Sequence, residues 1–380
     1  MNSRERVLRS LDHKEADRVP IDFGGLTTSI HKIGYRRLTE YLGLPPHEAP
    51  IIDMFQQIVD PAPALKEKFH ADVVGFFANP GSGWSLSVDP VTDSYWDEWG
   101  VFYQRPLHGY WYDLAGHPLK EGTLEELKNF KFPDPRDPNR IKGLRDKAKN
   151  LNEETDKAVI IYSPTAGVFE HSYWLRGIVP LFTDMAFNKL YVEALAERIV
   201  EWQLSFWDYV LEEVGHYVHI VEIGDDLGTQ SGPLVPPDLY RLIYKPRHKM
   251  LTDLIHKKSK AKVFLHCCGS IYWALPDIVE SGVDILNPIQ VSAKDMQDTA
   301  RIKREFGREL VFWGGGADAT EVMAFASPDT VIEEVKRRID DLSPDGGFVF
   351  APIHNIQPNV PPENTVAFFQ TAFEYGSKIN

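Results

Sequence analysis

Cysteine is nearly absent: 380 residues carry two, Cys267 and Cys268, side by side. Adjacent cysteines cannot staple distant parts of a chain, so no disulfide framework spans this fold and their role is local. No apolar run reaches about 18 residues, which excludes a membrane-spanning helix. The opening Met1-Asn2-Ser3-Arg4-Glu5-Arg6 is charged where a signal sequence has an apolar core. A cytoplasmic location without a membrane partner is expected. Positive charge is also in deficit. Forty-one Lys and Arg face 55 Asp and Glu, a formal net charge of −14, which opposes the counterion release that drives non-specific nucleic-acid binding.

The remaining composition is that of a globular protein. Hydrophobic residues make up 43% and charged residues 25%, a balance that rules out disorder and fibre. Aromatics reach 12%, with nine Trp, enough for a packed interior and an aromatic-lined pocket.

Short β-rich runs alternate with longer helical patterns. The runs are Val19–Phe23, Asp72–Phe77, Ala158–Tyr162, His219–Ile223, Lys262–His266, Val283–Leu286, Glu309–Trp313 and Gly347–Ala351. The helical stretch Leu190–Glu213 repeats Leu195, Ile199, Trp202, Phe206 and Val210 at steps of three and four. Others are Pro237–Ser259, Ile271–Glu280, Ala293–Phe306, Thr330–Asp341 and Pro361–Tyr375. Eight strand–helix units predict an α/β fold, a (β/α)8 TIM barrel, in preference to an open doubly wound sheet. Residues 84–118 break the rhythm: Trp96, Trp99, Tyr103, Tyr110 and Trp111 alternate with polar residues between glycine turns, which predicts an inserted β-hairpin.

In a barrel the chemistry gathers at the C-terminal ends of the strands, and here those ends are polar. They read Gly224-Asp225-Asp226-Leu227-Gly228, His266-Cys267-Cys268-Gly269, Asn287-Pro288, Gly314-Gly315-Gly316 and Pro352-Ile353-His354-Asn355. Residues two apart at a strand end point the same way, so His266 and Cys268 can approach one ion. His354, at the tip of the eighth run, is the best third ligand because no further cysteine exists. Imidazole and thiolate suit Zn²⁺ better than Mg²⁺ or Ca²⁺. The bland alternatives are a buried apolar thiol and a hydrogen-bonded imidazole. Cys267 should face away from Cys268 and pack.

Asp225 and Asp226 either cap the segment that follows them or, with Glu222, act as acid/base groups in the pocket. Asn287, Asn355 and Gly315 are candidate substrate contacts, the glycine through a backbone N–H near an anion, although three glycines can equally make a tight turn. His31 and His70 are expected to be structural.

These pieces, in this order, resemble the uroporphyrinogen decarboxylase superfamily and, within it, the cobalamin-dependent methyltransferase branch. The similarity runs from about Arg4 to the C-terminus, through Arg4-Glu5-Arg6-Val7-Leu8, Asp17-Arg18-Val19-Pro20, Gly224-Asp225-Asp226-Leu227-Gly228-Thr229-Gln230, His266-Cys267-Cys268-Gly269, and Phe348-Val349-Phe350-Ala351-Pro352 with Pro361-Pro362-Glu363-Asn364. The resemblance implies one (β/α)8 domain over residues 1–380 and zinc held by a His-x-Cys pair and a later Cys. His266 and Cys268 match the pair. The later position appears as His354, 86 residues after Cys268, a departure that puts the third ligand and thiol activation in doubt. The true decarboxylases match less well, since the Arg-rich segment that binds tetrapyrrole propionates is replaced by residues 21–30 without one arginine.

The resemblance thus implies a zinc-dependent methyltransferase exchanging a methyl group between a small methylated substrate and a corrinoid protein. An aromatic methyl ether under the aromatics of 84–118 is one such substrate; those aromatics serve equally as core or as a homodimer contact. A decarboxylase of a tetrapyrrole or another acid, and a non-catalytic binding barrel, are the competing readings.

Overall fold

A computed structural model of the protein describes residues 1–46 and 48–377. Seven of the eight apolar runs become one curled parallel sheet: β1 (Val73–Phe77), β2 (Ala158–Tyr162), β3 (Ile220–Gly224), β4 (Lys262–His266), β5 (Ile285–Asn287), β6 (Val311–Trp313) and β7 (Phe348–Val349). Each strand pairs with the next in sequence, as crossover connections require of parallel neighbours. The result is an α/β, TIM-barrel-like architecture.

The remaining run, Val19–Phe23, departs from expectation. It makes a single parallel bridge, Ile21 to Phe350, because Pro20 has no N–H to donate and the Ile21 N–H is taken by the Asp72 carboxylate at 2.9 Å. Its remaining backbone still reaches both edges of the sheet. The Phe350 N–H donates to the Pro20 carbonyl at 2.8 Å, the Asp22 N–H to the Phe350 carbonyl at 2.9 Å, and the Asp72 N–H to the Ile21 carbonyl at 2.7 Å. Segment 20–22 therefore lies between β7 and β1. Asp72, fully buried, also receives Arg6 at 2.8 Å and Arg18 at 2.8 and 2.9 Å, which pins both arginines and the closing segment to one carboxylate.

Two-residue alternation sorts the strands into two cores. Ala158, Ile160, Tyr162, Ile220, Phe264, Ile285, Val311, Trp313 and Val349 pack inside the curled sheet, closed below by Val7 and Leu11 of the helix Ser3–Leu11. Val159, Ile161, Val221, Val263, Leu265 and Phe312 face the surrounding helices. By the same parity Glu222, His266 and Asn287 turn inward at the strand ends.

The helices broadly follow the apolar spacing: Lys189–Val214, Lys245–Lys258, Thr299–Phe306, Pro328–Leu342 and Pro362–Gly376. Proline trims two of them. The stretch expected over 237–259 is interrupted by a π turn at Tyr240–Tyr244 just before Pro246, and that over 271–280 shortens to Leu275–Glu280 around Pro276. Residues 84–118 hold more than a hairpin. Ser94–Trp96, Phe102–Gln104 and Asp113–Gly116 form a three-stranded antiparallel sheet, with Tyr95 stacked on its partner Tyr103 at 4.7 Å. A second small sheet, Ile30–His31, Ile51–Asp53 and Ile58–Val59, was not foreseen. His31 caps the helix Lys32–Tyr41 by accepting the Ile33 N–H at 3.1 Å. No helix among the described residues is long and apolar enough to cross a membrane.

Candidate metal centre and active-site cavity

His266 ends β4 opposite Asn287 of β5. The Asn287 side chain donates through Nδ2 to the Trp313 carbonyl at 2.8 Å, which turns its Oδ1 to His266 Nδ1 at 2.6 Å. An amide oxygen only accepts, so the His266 proton sits on Nδ1 and Nε2 keeps its lone pair. That lone pair faces Cys268 Sγ at 3.3 Å. The thiol is set in place through its backbone: the Cys268 N–H donates to Asp226 Oδ1 at 2.7 Å, and the next N–H, of Gly269, to Gln290 Oε1 at 2.6 Å.

His354 arrives from the segment after β7. Its neighbour Asn355 is tied at both ends, accepting from the Ser29 N–H at 2.8 Å and donating to the Leu26 carbonyl at 3.0 Å. The imidazole of His354 meets that of His266 edge to face, ring centres 5.3 Å apart. One ligand atom each from His266, Cys268 and His354 lies within 4.8 Å of the others. Tetrahedral zinc spaces nitrogen and sulfur ligands about 3.4–3.6 Å apart, given its usual bond lengths. The donor set suits a borderline-soft divalent ion, and the first pair, at 3.3 Å, is slightly closer than that spacing. Burial and then the adjacent His266 push His354 down to about 3, leaving its nitrogen unprotonated. Burial, then Asp226 and Cys267, push the Cys268 thiol up, which a cation would reverse.

A cavity of about 700 Å³ adjoins this group of ligand candidates; His266 and His354 are part of its wall, with Glu222, Asp226 and Glu170. Glu222, 4% exposed, is held toward its neutral form by burial and by Asp22. Glu170 is raised by burial, Asp226 and Asp225. Asp226 approaches His266 Nε2 to 4.0 Å. Phe55, Tyr95, Trp99, Tyr103 and Trp174 supply an aromatic part of the wall. Six carboxyl side chains and one guanidinium line the whole, and that guanidinium, Arg140, is bound to Glu98 at 2.6 Å.

Four residues singled out from the sequence serve the scaffold instead. Asp225 accepts the Phe169 and Glu170 N–H groups at 2.9 and 2.7 Å and holds His248 at 2.8 Å; it caps the helix Val168–Arg176 and does not line the cavity. Asn287 is fully buried and spends its amide on His266 Nδ1 and the Trp313 carbonyl. Asn355 spends its amide on residues 26 and 29. Gly315 makes a turn at φ +89, where a Cβ would stand 2.8 Å from the Ile289 carbonyl oxygen; it does not line the cavity. Cys267 is buried, as expected.

Glu170, His171 and the acidic residues of the small sheets, Asp53 and Asp97, were missed. Glu170 and His171 follow β2 by less than a dozen residues, and reading past that strand end would have found them. Asp53 and Asp97 carry no such signal.

The model of the family uroporphyrinogen decarboxylase (URO-D) matches residues 116–375, and the chain belongs to that family. Among solved structures it is similar to a methyltransferase from Methanosarcina mazei, with a TM-score of 0.66 and 16% identity over 99% of each chain. At that identity the likeness shows a shared fold. A GH113 beta-1,4-mannanase aligns at a TM-score of 0.38 and 11% identity, over 93% of this chain and 98% of its own. No curated protein matches the sequence.

Proposed function

We propose that the protein is a zinc-dependent methyltransferase that exchanges a methyl group between a small methylated substrate and a corrinoid carried by a separate protein. The observation that carries this reading is the meeting of His266, Cys268 and His354 beside a cavity, with the His266 tautomer set by Asn287. The fold shared with the Methanosarcina mazei methyltransferase supports it.

His266 Nε2, Cys268 Sγ and His354 would hold the zinc, which when bound supplies Lewis acidity toward an oxygen, nitrogen or sulfur of the substrate. The chain's own groups do the rest. Asp226 holds the Cys268 loop in place and presents a carboxylate beside the ligands. Glu222, kept toward its neutral form, can give a proton to the heteroatom from which the methyl departs. The aromatic part of the cavity wall orients the substrate, an aromatic methyl ether among the candidates, and excludes water. Decarboxylation of a polyanionic tetrapyrrole is disfavoured by a cavity with six carboxyls and one already paired guanidinium.

Zinc analysis tests the ligand set: about one ion per chain is expected, falling to near none in Cys268→Ala or His266→Ala, with the fold intact by circular dichroism. Incubation with a Co(I) corrinoid protein and methylated ethers, amines or thiols, followed by cobalt absorption, tests the transfer. Consumption of uroporphyrinogen by metal-free protein would favour the decarboxylase reading.

A further inference from the structure

Trp99, Trp174, Tyr103, Phe55 and His171 form an aromatic part of the cavity wall. They form a connected box: Trp99 meets His171 at 4.3 Å, Phe55 meets Tyr103 at 5.8 Å and Trp174 at 6.1 Å, and Tyr103 meets Trp174 at 6.3 Å, all edge-on or tilted. Trp99, Tyr103 and His171 are buried while Phe55 and Trp174 are half-buried, so the open aromatic surface of the box is that of Phe55 and Trp174. His171 is 1% exposed, and neither ring nitrogen has a hydrogen-bond partner among the described residues. Burial depresses it to about 3, so it is a neutral wall, not a cation.

Apart from the paired Glu98 and Arg140, the ionisable groups beside these rings are carboxyls. Asp97 and Asp53 flank the box; burial raises each to about 6, and a cation beside them would favour their charged form. Asp97 accepts the Trp99 and Val101 N–H groups at 2.9 and 2.8 Å and the Tyr103 hydroxyl at 3.2 Å. Asp53 accepts the Gln56 N–H at 3.1 Å. Neither has a basic partner in an ion pair among the described residues, whereas Glu98 is neutralised by Arg140 at 2.6 Å. Aromatic faces next to uncompensated carboxylates attract an ammonium group, through the ring quadrupole and through simple Coulomb attraction in a partly dry site. A neutral aromatic ether would stack but would leave both half-buried carboxylates without a counter-charge.

We infer that this box binds an ammonium group, so that the substrate is a cation whose ammonium end lies among Trp99, Trp174 and Asp97 while a heteroatom at its other end faces His266, Cys268 and His354. The inference rests on the cavity being the methyl-substrate site proposed above, and it is tested without turnover or corrinoid. Choline and its uncharged isostere 3,3-dimethylbutan-1-ol have the same shape, so their difference reads the charge alone. Titrated by tryptophan fluorescence into the full-length protein, choline is expected to bind saturably and the isostere at least about ten-fold more weakly. Asp53→Asn, which keeps an oxygen for the Gln56 N–H, should weaken choline several-fold and leave the isostere unchanged; Trp174→Leu should narrow the gap between the two. Equal binding of the pair, preference for 1,2-dimethoxybenzene over choline, or no response to choline by a variant-stable folded protein would overturn the inference. Those outcomes leave methyl transfer standing, and absence of zinc or of cobalt methylation leaves choline binding standing, so the two proposals fail separately.

Discussion

Asn287 Oδ1 accepts the His266 Nδ1 proton at 2.6 Å while Asn287 Nδ2 donates to the Trp313 carbonyl at 2.8 Å. Three neighbouring strands, β4, β5 and β6, thus fix which imidazole nitrogen faces Cys268. Asn287→Leu keeps the volume and removes both bonds. Metal affinity is expected to fall about 10–100-fold, the usual effect of losing a partner behind a ligand. Folding stability should drop by about 1–3 kcal/mol, because the buried Trp313 carbonyl loses its donor. Competition against a chromogenic chelator reads the first and urea unfolding the second; unchanged affinity would remove Asn287 from the account of the site.

Asp225 and Asp226 are adjacent in sequence and separate in task, and paired variants should divide them. Asp225→Ala strips a buried acceptor from the Phe169 and Glu170 N–H groups and from His248. Three buried donors left unpaired should cost about 3 kcal/mol or more, with zinc stoichiometry retained in the folded fraction. Asp226→Asn, only partly buried, should leave stability within about 0.5 kcal/mol and lower methyl transfer. The reverse pattern, with Asp225→Ala stable and inactive, would make Asp225 the reacting group.

This division also shows what the sequence could carry. Strand parity was legible: the alternation through Val263, Phe264, Leu265 and His266 says which side chains face inward, and the rule for barrel strand ends then selects His266, Cys268 and His354. What a carboxylate or amide does at such an end was not legible, because Asp225, Asn287 and Asn355 are recruited by backbone groups far away in sequence, such as the Phe169 N–H and the Ser29 N–H. The same types of residue serve a ligand or a loop, and only the fold shows which. Val19–Phe23 has a strand's composition, but Pro20 and the Asp72 carboxylate divert its hydrogen bonds. Asp53 and Asp97 lie on small sheets whose approach to the cavity depends on tertiary packing, to which no local pattern points.

His171 provides a pH signature. Its folded value of about 3 lies below the ordinary 6.5, so between those limits the unfolded chain binds a proton that the folded chain refuses. Stability contributed at this position is complete above pH 6.5 and declines as pH falls toward 3. His171→Phe preserves a ring against Trp99 and cannot titrate. Relative to the parent protein, the variant should therefore gain stability on acidification through that window, by up to about 1.4 kcal/mol per pH unit. Other groups, among them Asp22, Asp53 and Asp97, titrate in both proteins and cancel in the difference. Urea midpoints at pH 7 and pH 5 measure it. A constant difference between the two would mean that His171 is protonated or solvated in the folded protein.

Gly269, directly after Cys268, holds φ at +94, and a Cβ there would lie 2.4 Å from the carbonyl carbon of Gly228 and 2.5 Å from its oxygen. Gly228 is equally close-packed, a Cβ on it coming within 2.8 Å of the Ser270 nitrogen and 2.9 Å of the Cys268 oxygen. The loops after β3 and β4 therefore touch backbone to backbone, and this contact brings Asp226 Oδ1 to the Cys268 N–H at 2.7 Å. Gly269→Ala adds the left-handed penalty of about 1–2 kcal/mol to an overpacking cost of about 1–3 kcal/mol. It must also push Cys268 away from His266, so zinc affinity should fall along with stability. Gly232, where a Cβ meets nothing within 4 Å, is the control on the neighbouring loop; Gly232→Ala should change stability by no more than about 0.5 kcal/mol and leave zinc binding intact. If Gly269→Ala binds zinc as tightly as Gly232→Ala, the loop contact does not position the thiol, and Asp226 must hold Cys268 without help from the glycine pair.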